Sequence, residues 1–365
     1  MTAEDDRRFM AHALGLARRG LGRVWPNPAV GCVLVKDGRI VGRGFTQPGG
    51  RPHAETVALG GAGDAARGAT AYVTLEPCAH RGQTPPCAEA LVAAGVARVV
   101  SGLQDPDPRV AGRGHAILRT AGIEVSEGVL EPEARALQRG FLTRVSQGRP
   151  MLTLKLATSL DGRIATASGE SRWITGPEAR ARVHAMRAAH DAVLIGAGTA
   201  RADDPSLAVR GFGPVAQPVR VVAARRLDLP VAGTLGRTAR AVPLWLLHGP
   251  SAPAGARAEW AETGARLIEA TETADGLDPA AMLAALGAAG LTRVFCEGGG
   301  QLAASLLRAG LVDEIALFGA GLALGADGRA AVGPLGLGPL AGARRYRLTE
   351  CRPIGPDTLS LWSRD

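Results

Sequence analysis

Residues 29–45, AVGCVLVKDGRIVGRGF, contain two β-rich runs joined by Asp37-Gly38. That dipeptide tolerates positive φ and closes a tight hairpin between alternating apolar runs. Outward from this hairpin the pattern alternates. The preceding stretch, TAEDDRRFMAHALGLARRG, reads as an amphipathic helix, with Thr2 and Asp5 at capping-box spacing and Phe9, Ala13 and Leu16 on one side. Downstream, a short helix begins near His53 and a strand, TAYVTL, ends at Glu76. A helix follows Cys87, RVVSGL is a strand, and another helix precedes a strand near Ile123. Strands alternating with helices around a hairpin predict a three-layer α/β/α domain.

EPEARALQRGFLTRV closes this domain as a helix, and residues 147–150, QGRP, form the joint. A second alternation then begins with the strand MLTLKLA. It continues through a helix, PEARARVHAMRAA, whose first position is Pro177, a residue with no N–H to leave unpaired. Strands follow at AVLIG, VRVVA and PLWLL, then a helix, DPAAMLAALGAAG, and the strand RVFC. The 365 residues suit two domains at roughly 100–200 residues each.

Apolar residues make up 46% and charged residues 21%, enough for a core in each half and too apolar for wholesale disorder. The uncharged stretches at 315–326 and 330–343 fall short of a bilayer span and are broken by Gly or Pro. The acidic start, MTAEDDRRFM, lacks a secretory n-region. These features predict a soluble cytoplasmic protein with no membrane partner. The net charge of +8 raises the question of a polyanionic partner. The basic residues are scattered, however, with only Lys36 and Lys155 as lysines, and Tyr and Phe total eight. A groove for a flipped base needs a basic track and stacking aromatics, so a small phosphorylated ligand is favoured over nucleic acid. Five cysteines without a secretory signal argue for reduced thiols. Cys32, Cys296 and Cys351 read as packing residues.

Two constellations carry chemistry. In RPHAETVAL, His53 and Glu55 lie two residues apart at a helix start. The strand TAYVTL delivers Glu76-Pro77-Cys78, with Cys87 opening the next helix. One imidazole and two thiolates make three zinc ligands and leave the fourth position for water, the arrangement of a catalytic site. Glu55 then moves protons between that water, a ring nitrogen and a departing amine. This is the H-x-E…P-C signature of zinc nucleobase and nucleoside deaminases. Here eight residues separate the thiols where C-x-x-C is usual, and His80 falls inside that loop as a substrate-contacting residue. Asn27, between two prolines, either reads the edge of a heterocycle or caps a turn. The second constellation is RVFCEGGGQLAASLL: strand, glycine run, helix. Together with Gly196-Ala197-Gly198-Thr199 it either cradles a phosphate or makes plain tight turns. It is neither a Rossmann fingerprint nor a P-loop.

Taken in order, PNPAVG, HAE, EPCAHRGQTPPC, KLATSLDGRIA, WITG, DDPSL and CEGGG resemble the bifunctional riboflavin-biosynthesis deaminase/reductase family over almost the whole chain. The resemblance implies a cytidine-deaminase-like domain at residues 1–146, holding one zinc ion, and a dihydrofolate-reductase-like α/β domain at residues 150–365, using NADPH. The first would deaminate 2,5-diamino-6-ribosylamino-4(3H)-pyrimidinone 5′-phosphate, and the second would reduce the ribosyl chain to ribityl. Matched by position, His53, Cys78 and Cys87 are the metal ligands and Glu55 is the proton shuttle. Ala157, Trp173, Thr199, Asp203 and Gly299, Gly300, Gln301, Leu302, Ala303, Ala304 and Ser305 contact the cofactor. Ser171, Arg187, Leu207, Arg210 and Glu297 contact substrate. Lys155 steadies a phosphate or ring-opened sugar, or else makes a salt bridge. The resemblance also implies a homo-oligomer. Where the family commonly has Asp-Ser, this chain has Ala223-Ala224, which removes a side-chain hydrogen bond to the cofactor. The alternatives are a zinc deaminase acting on another nucleotide or a nucleic-acid base, and a non-catalytic zinc-binding scaffold.

Overall fold

Asp37 and Gly38 adopt φ of 51° and 73° in the computed structural model, and the turn they make joins β1 (Gly31–Lys36) to β2 (Arg39–Phe45) as antiparallel neighbours. The structure describes residues 2–80, 85–108 and 110–364. β3 (Thr70–Val73) flanks β1 on its other side, followed in parallel by β4 (Arg98–Ser101) and β5 (Glu124–Ser126). β3 is shorter than the sequence suggests. At Thr74 the chain leaves the ladder, and the Thr74 hydroxyl accepts the Gly31 N–H at 3.0 Å.

Five helices cover this sheet: α1 (Ala3–Ala17), α2 (Ala54–Ala62), α3 (Cys87–Ala93), α4 (Arg113–Thr120) and α5 (Glu131–Gln147). The expected capping box is present, with Thr2 Oγ1 accepting from Asp5 N–H and the Asp5 carboxylate accepting from Thr2 N–H. Glycines decide which face each helix takes. A Cβ on Gly31 would lie 2.0 Å from Ala13 O of α1, whereas Cβ atoms on Gly42 and Gly44 would lie 2.4 and 2.3 Å from Ala58 O and Ala54 O of α2. Gly44 is opposite Cys32 and Gly42 opposite Leu34. Cross-strand partners share a face, so α2 packs on the Cys32/Leu34 side and α1 on the other. α5 lies beside α1, and α3 beside both α2 and α4, which completes three layers. The interior is closed by Met10, Leu34, Tyr72, Leu91 and Leu118.

The second sheet is built from β6 (Met151–Thr158), β8 (Ala192–Gly196), β9 (Val219–Ala223), β10 (Leu244–His248), β11 (Arg266–Glu269), β14 (Arg293–Gly298), β15 (Glu314–Gly319), β17 (Arg347–Ile354) and β18 (Asp357–Ser363). Its order is β11-β10-β9-β8-β14-β6-β15-β18-β17. The first seven in that order are parallel, and the β17–β18 hairpin closes one edge antiparallel. The connecting helices are α6 (Pro177–Ala188), α7 (Ala197–Asp203), α8 (Thr234–Arg237), α9 (Ala254–Glu262), α10 (Pro279–Ala288) and α11 (Gly300–Arg308). Two small ribbons pair β7 (Arg163–Ala165) with β16 (Arg329–Ala330) and β12 (Glu272–Thr273) with β13 (Gly276–Leu277). β8, β9 and β10 are nearly continuously buried apolar runs, as a sheet covered on both faces requires. The β17–β18 hairpin has no counterpart in the sequence reading. On β17, Cys351 is exposed, not packed as expected.

The chain divides into two units, Met1–Gly148 and Arg149–Asp365. At the start of the second, the buried Arg149 guanidinium grips both Asp313 carboxylate oxygens at 2.7 and 2.8 Å, and Asp313 also accepts the Leu152 N–H. Among the described residues no helix is long and apolar enough to cross a membrane.

The glycine contacts give a stability prediction. Gly44→Val should destabilise the first unit by about 1–3 kcal/mol, because its Cβ meets backbone that cannot move without displacing α2. Gly60→Ala, in the same helix but with nothing within 4 Å of the new Cβ, should be neutral or stabilising by about 0.5–1 kcal/mol. Urea unfolding measures both, and equal effects would contradict this account of the packing.

Candidate active sites

Three elements bring the zinc-type donors together. His53 is the N-cap of α2, at φ −70° and ψ 159°, so it stands at the start of the helix. Cys78 follows the end of β3, and Cys87 is the first residue of α3. His53 Nδ1 lies 3.3 Å from Cys87 Sγ and 3.7 Å from Cys78 Sγ, and the three donor atoms all lie within 4.8 Å of one another. Bonds of about 2.0–2.3 Å to a tetrahedral zinc place such donors about 3.3–3.8 Å apart, so the set fits that ion. The Cys87 N–H also donates to Cys78 Sγ at 3.3 Å. Hydrogen bonds from Cys87 and His53 hold the Cys78 thiol well below its usual range, at about 4, while the Cys87 thiol is pushed up by Cys78 and by burial.

Glu55, in the first turn of α2, is buried at 3% exposure. Burial and the neighbouring Cys78 push its carboxyl up to about 7. It therefore sits beside the donors as a proton carrier would, on the helix whose height the β2 glycines set. Asn27 lays its amide over Gly50 and donates to Gly50 O at 3.2 Å, so one amide hydrogen is committed to holding a turn. His80 is half-buried, and its Nδ1 has no hydrogen-bond partner among the described residues. The rest of its loop, residues 81–84, lies outside them.

Glu76 was expected only as a strand end. Its buried carboxylate accepts backbone N–H groups of Asp105, Gly112, Gly114 and His115, at 3.2, 2.9, 2.9 and 3.3 Å. It thereby ties the segment before α4 to the Glu-Pro-Cys turn. The only signal in the sequence was a carboxylate two residues before a ligand, with the glycines of VAGRG downstream to supply bare amides.

The second unit has its own cluster. Glu297 on β14 is gripped by the Arg187 guanidinium of α6, with Nε on Oε1 and Nη2 on Oε2 at 2.9 Å. Arg187 Nη1 also donates to Ala208 O at 3.0 Å. Its fork, expected to contact substrate, is engaged by Glu297. Burial acts to raise the Glu297 carboxyl, but Arg187 and the nearby Lys155 hold it below its usual range. Lys155 on β6 is half-buried, and desolvation lowers its ammonium pKa. Lys155, Arg187 and Glu297 are thus brought together. The Arg210 N–H reaches His184 Nδ1 at 3.3 Å, close to Arg187 on α6, while Leu207 is buried at φ +55° in the core beneath β8 and β9.

Thr199 lies in α7, which begins at Ala197 with no intervening loop, and its Oγ1 reaches Gly298 O at 3.5 Å. Gly299, at φ +73°, is the N-cap of α11, and the span from Gly300 to Ser305 forms the first turns of that helix. The Thr199 hydroxyl would lie 3.0 Å from a Cβ on Gly299, so both helix starts meet at the C-terminal ends of β8 and β14. Ala157 lies on β6. Trp173 is 68% exposed, with the Arg180 guanidinium 4.6 Å over its ring, in a cleft with Gly321, Pro356 and Asp357. Ser171 and Asp203 are exposed, and among the described residues no hydrogen bond or ion pair ties them to Glu297.

Residues 3–103 match the cytidine and deoxycytidylate deaminase zinc-binding region, and residues 150–360 match the RibD C-terminal domain. The chain is 46% identical to the riboflavin biosynthesis protein RibD of Escherichia coli (strain K12) over 359 residues, covering 97% of this chain and 98% of that one. It superposes on a structure of Acinetobacter baumannii RibD with TM-score 0.88 and 41% identity, covering 99% of each chain. It also superposes, with TM-score 0.86 and 33% identity over 100% of this chain and 99% of the other, on the diaminohydroxyphosphoribosylaminopyrimidine deaminase/5-amino-6-(5-phosphoribosylamino)uracil reductase of Thermotoga maritima. The chain belongs to the RibD family of bifunctional riboflavin-biosynthesis enzymes, with a cytidine-deaminase-like zinc domain followed by a reductase domain.

Proposed function

We propose that this chain hydrolyses the 2-amino group from 2,5-diamino-6-ribosylamino-4(3H)-pyrimidinone 5′-phosphate. It then reduces the ribosyl chain of the resulting 5-amino-6-(5-phosphoribosylamino)uracil to ribityl with NADPH. The observation that carries the reading is the convergence of His53, Cys78 and Cys87 beside the buried Glu55. A purely structural metal site has no use for such a carboxyl.

In this reading residues 1–146 form the deaminase domain and residues 150–365 the reductase domain, in the cytoplasm, with one zinc ion held by His53, Cys78 and Cys87. When bound, zinc supplies the acidity that makes water a nucleophile at neutral pH. Glu55 accepts a proton from the attacking water and delivers it to the ring nitrogen, then takes the remaining proton from the added hydroxyl and passes it to the departing amine, so that ammonia leaves as the carbonyl forms. His80 and Asn27 line the approach. In the reductase, the α7 and α11 starts, with Thr199 and Gly299 to Ser305, receive the cofactor diphosphate on backbone N–H groups. Ala157, Trp173 and Asp203 complete the cofactor site. Ser171, Leu207 and Arg210 meet the substrate, and Arg187 orients Glu297 beside Lys155.

Three measurements test these assignments. Zinc content should fall on Cys87→Ala and persist on His80→Ala; the reverse pattern would move the third ligand to His80. Glu55→Gln should keep zinc and fold while deamination drops by about 10²–10⁴-fold, and a rate within a few-fold of wild type would remove Glu55 from the proton path. The reductase kcat/KM should favour NADPH over NADH, and equal values would overturn the cofactor assignment.

A further inference from the structure

The Asp161 carboxylate, in the turn between β6 and β7, joins two parts of the second unit that are far apart in sequence. Its Oδ1 accepts the Ser159 hydroxyl at 2.5 Å. It also accepts two consecutive backbone N–H groups, from Leu324 at 3.1 Å and from Gly325 at 2.7 Å. The Ser159 hydroxyl, with these amides, holds the carboxyl at about 2, so it is an anion at neutral pH. Neighbouring bonds close the same joint. Leu160 N–H donates to Leu322 O at 2.8 Å, Arg163 Nε to Gly325 O at 3.0 Å, and Ala331 N–H to Gly162 O at 3.1 Å, while β7 pairs with β16.

The segment held in this way, residues 320–333, runs from the Trp173 cleft to the start of α11. Ala320, Gly321 and Leu322 line that cleft. At the other end, Gly333 N–H donates to Gly300 O at 2.9 Å, a Cβ on Gly300 would fall 3.2 Å from Ala330 O, and one on Gly333 would fall 3.2 Å from Gln301 Oε1. From 321 to 333 only Gly328 and Ala331 are buried. Apolar burial therefore does little to fix the path of this segment, and hydrogen bonds must do it. A carboxylate suits the task, because its two oxygens accept all three donors, whereas an amide of the same shape has one oxygen and turns N–H groups toward the others.

We propose that Asp161 is a positioning residue for the reductase: by fastening residues 320–333 it fixes the spacing between the Trp173 cleft and the α11 start, so that the dinucleotide binds without first having to order that segment. This rests on the NADPH reading above and deepens it. Asp161 touches neither the cofactor nor the reacting atoms in this account, and its effect falls on affinity, not on the chemical step.

The test is calorimetric titration of the full chain with NADPH, alongside steady-state reduction and deamination. Asp161→Asn should raise the NADPH Kd about tenfold, with kcat at saturating NADPH within about twofold of wild type and deamination unaltered. The sign is diagnostic, since a carboxylate that acted only through its charge would, on removal, tighten the binding of an anionic cofactor. Gly328→Val places a Cβ 3.0 Å from Arg163 Cγ and 3.1 Å from Ala165 O, which displaces the segment from β7 with no change of charge. It should weaken NADPH in the same way, and it decides the matter by the same criteria should Asp161→Asn lose kcat and affinity together. If wild type binds and uses NADPH but either variant keeps its affinity, or loses kcat with affinity intact, the positioning role is overturned and the NADPH reading stands. If wild type neither binds nor uses NADPH, both fall together.

Discussion

The distance between α2 and β2 is the constraint on which the deaminase unit rests. Gly42 and Gly44 let backbone carbonyls of the helix approach where any side chain would collide. That approach fixes the height of the helix start, and the helix start carries both His53 and Glu55. The two thiolate donors come from the other side of the same arrangement, one after β3 and one at the head of α3. No single element could offer a histidine and two cysteines within 4.8 Å in this geometry. Three elements can, because the sheet holds them all. The Glu76 carboxylate extends the same logic, satisfying four backbone amides that would otherwise be left unpaired in the interior.

The reductase unit solves a different problem. Seven parallel strands end at one edge, and glycine-rich turns there expose helix starts. Backbone N–H groups aimed outward along such an edge favour an anionic ligand without any lysine in a phosphate loop. The charged residues of this unit are paired at depth. Arg187 with Glu297 places a carboxylate in the interior at no cost of an unmatched charge, and Lys155 remains beside it as a second cation. The arrangement keeps a fixed anion on β14 close to the half-buried ammonium of Lys155 on β6.

The hairpin at Asp37-Gly38, the α1 capping box, the helix starting at Pro177 and the apolar strands of both sheets were legible because each has a local cause: a turn dipeptide, a cap, a fixed φ, a run of buried residues. The zinc-type cluster was legible for a similar reason, since its members sit at element ends marked by HAE and EPC. What was not legible depends on partners distant in sequence. The engagement of Arg187 with Glu297 spans 110 residues, so no local pattern marks it. Glu76 finds its amides some thirty to forty residues downstream. The β17–β18 hairpin has an outward face with few apolar residues, which left Cys351 looking like a core residue when it is exposed.

Both units serve one account, in which a single chain exchanges an amine for oxygen on a pyrimidine and then reduces the attached sugar. Mass spectrometry of the product formed from the diaminopyrimidinone phosphate, with and without NADPH, tests this most directly. The account predicts replacement of the amine by oxygen without NADPH, and a further gain of two hydrogens only when NADPH is present. Reduction of the diamino compound before any loss of its amine, or no change in mass under either condition, would contradict it.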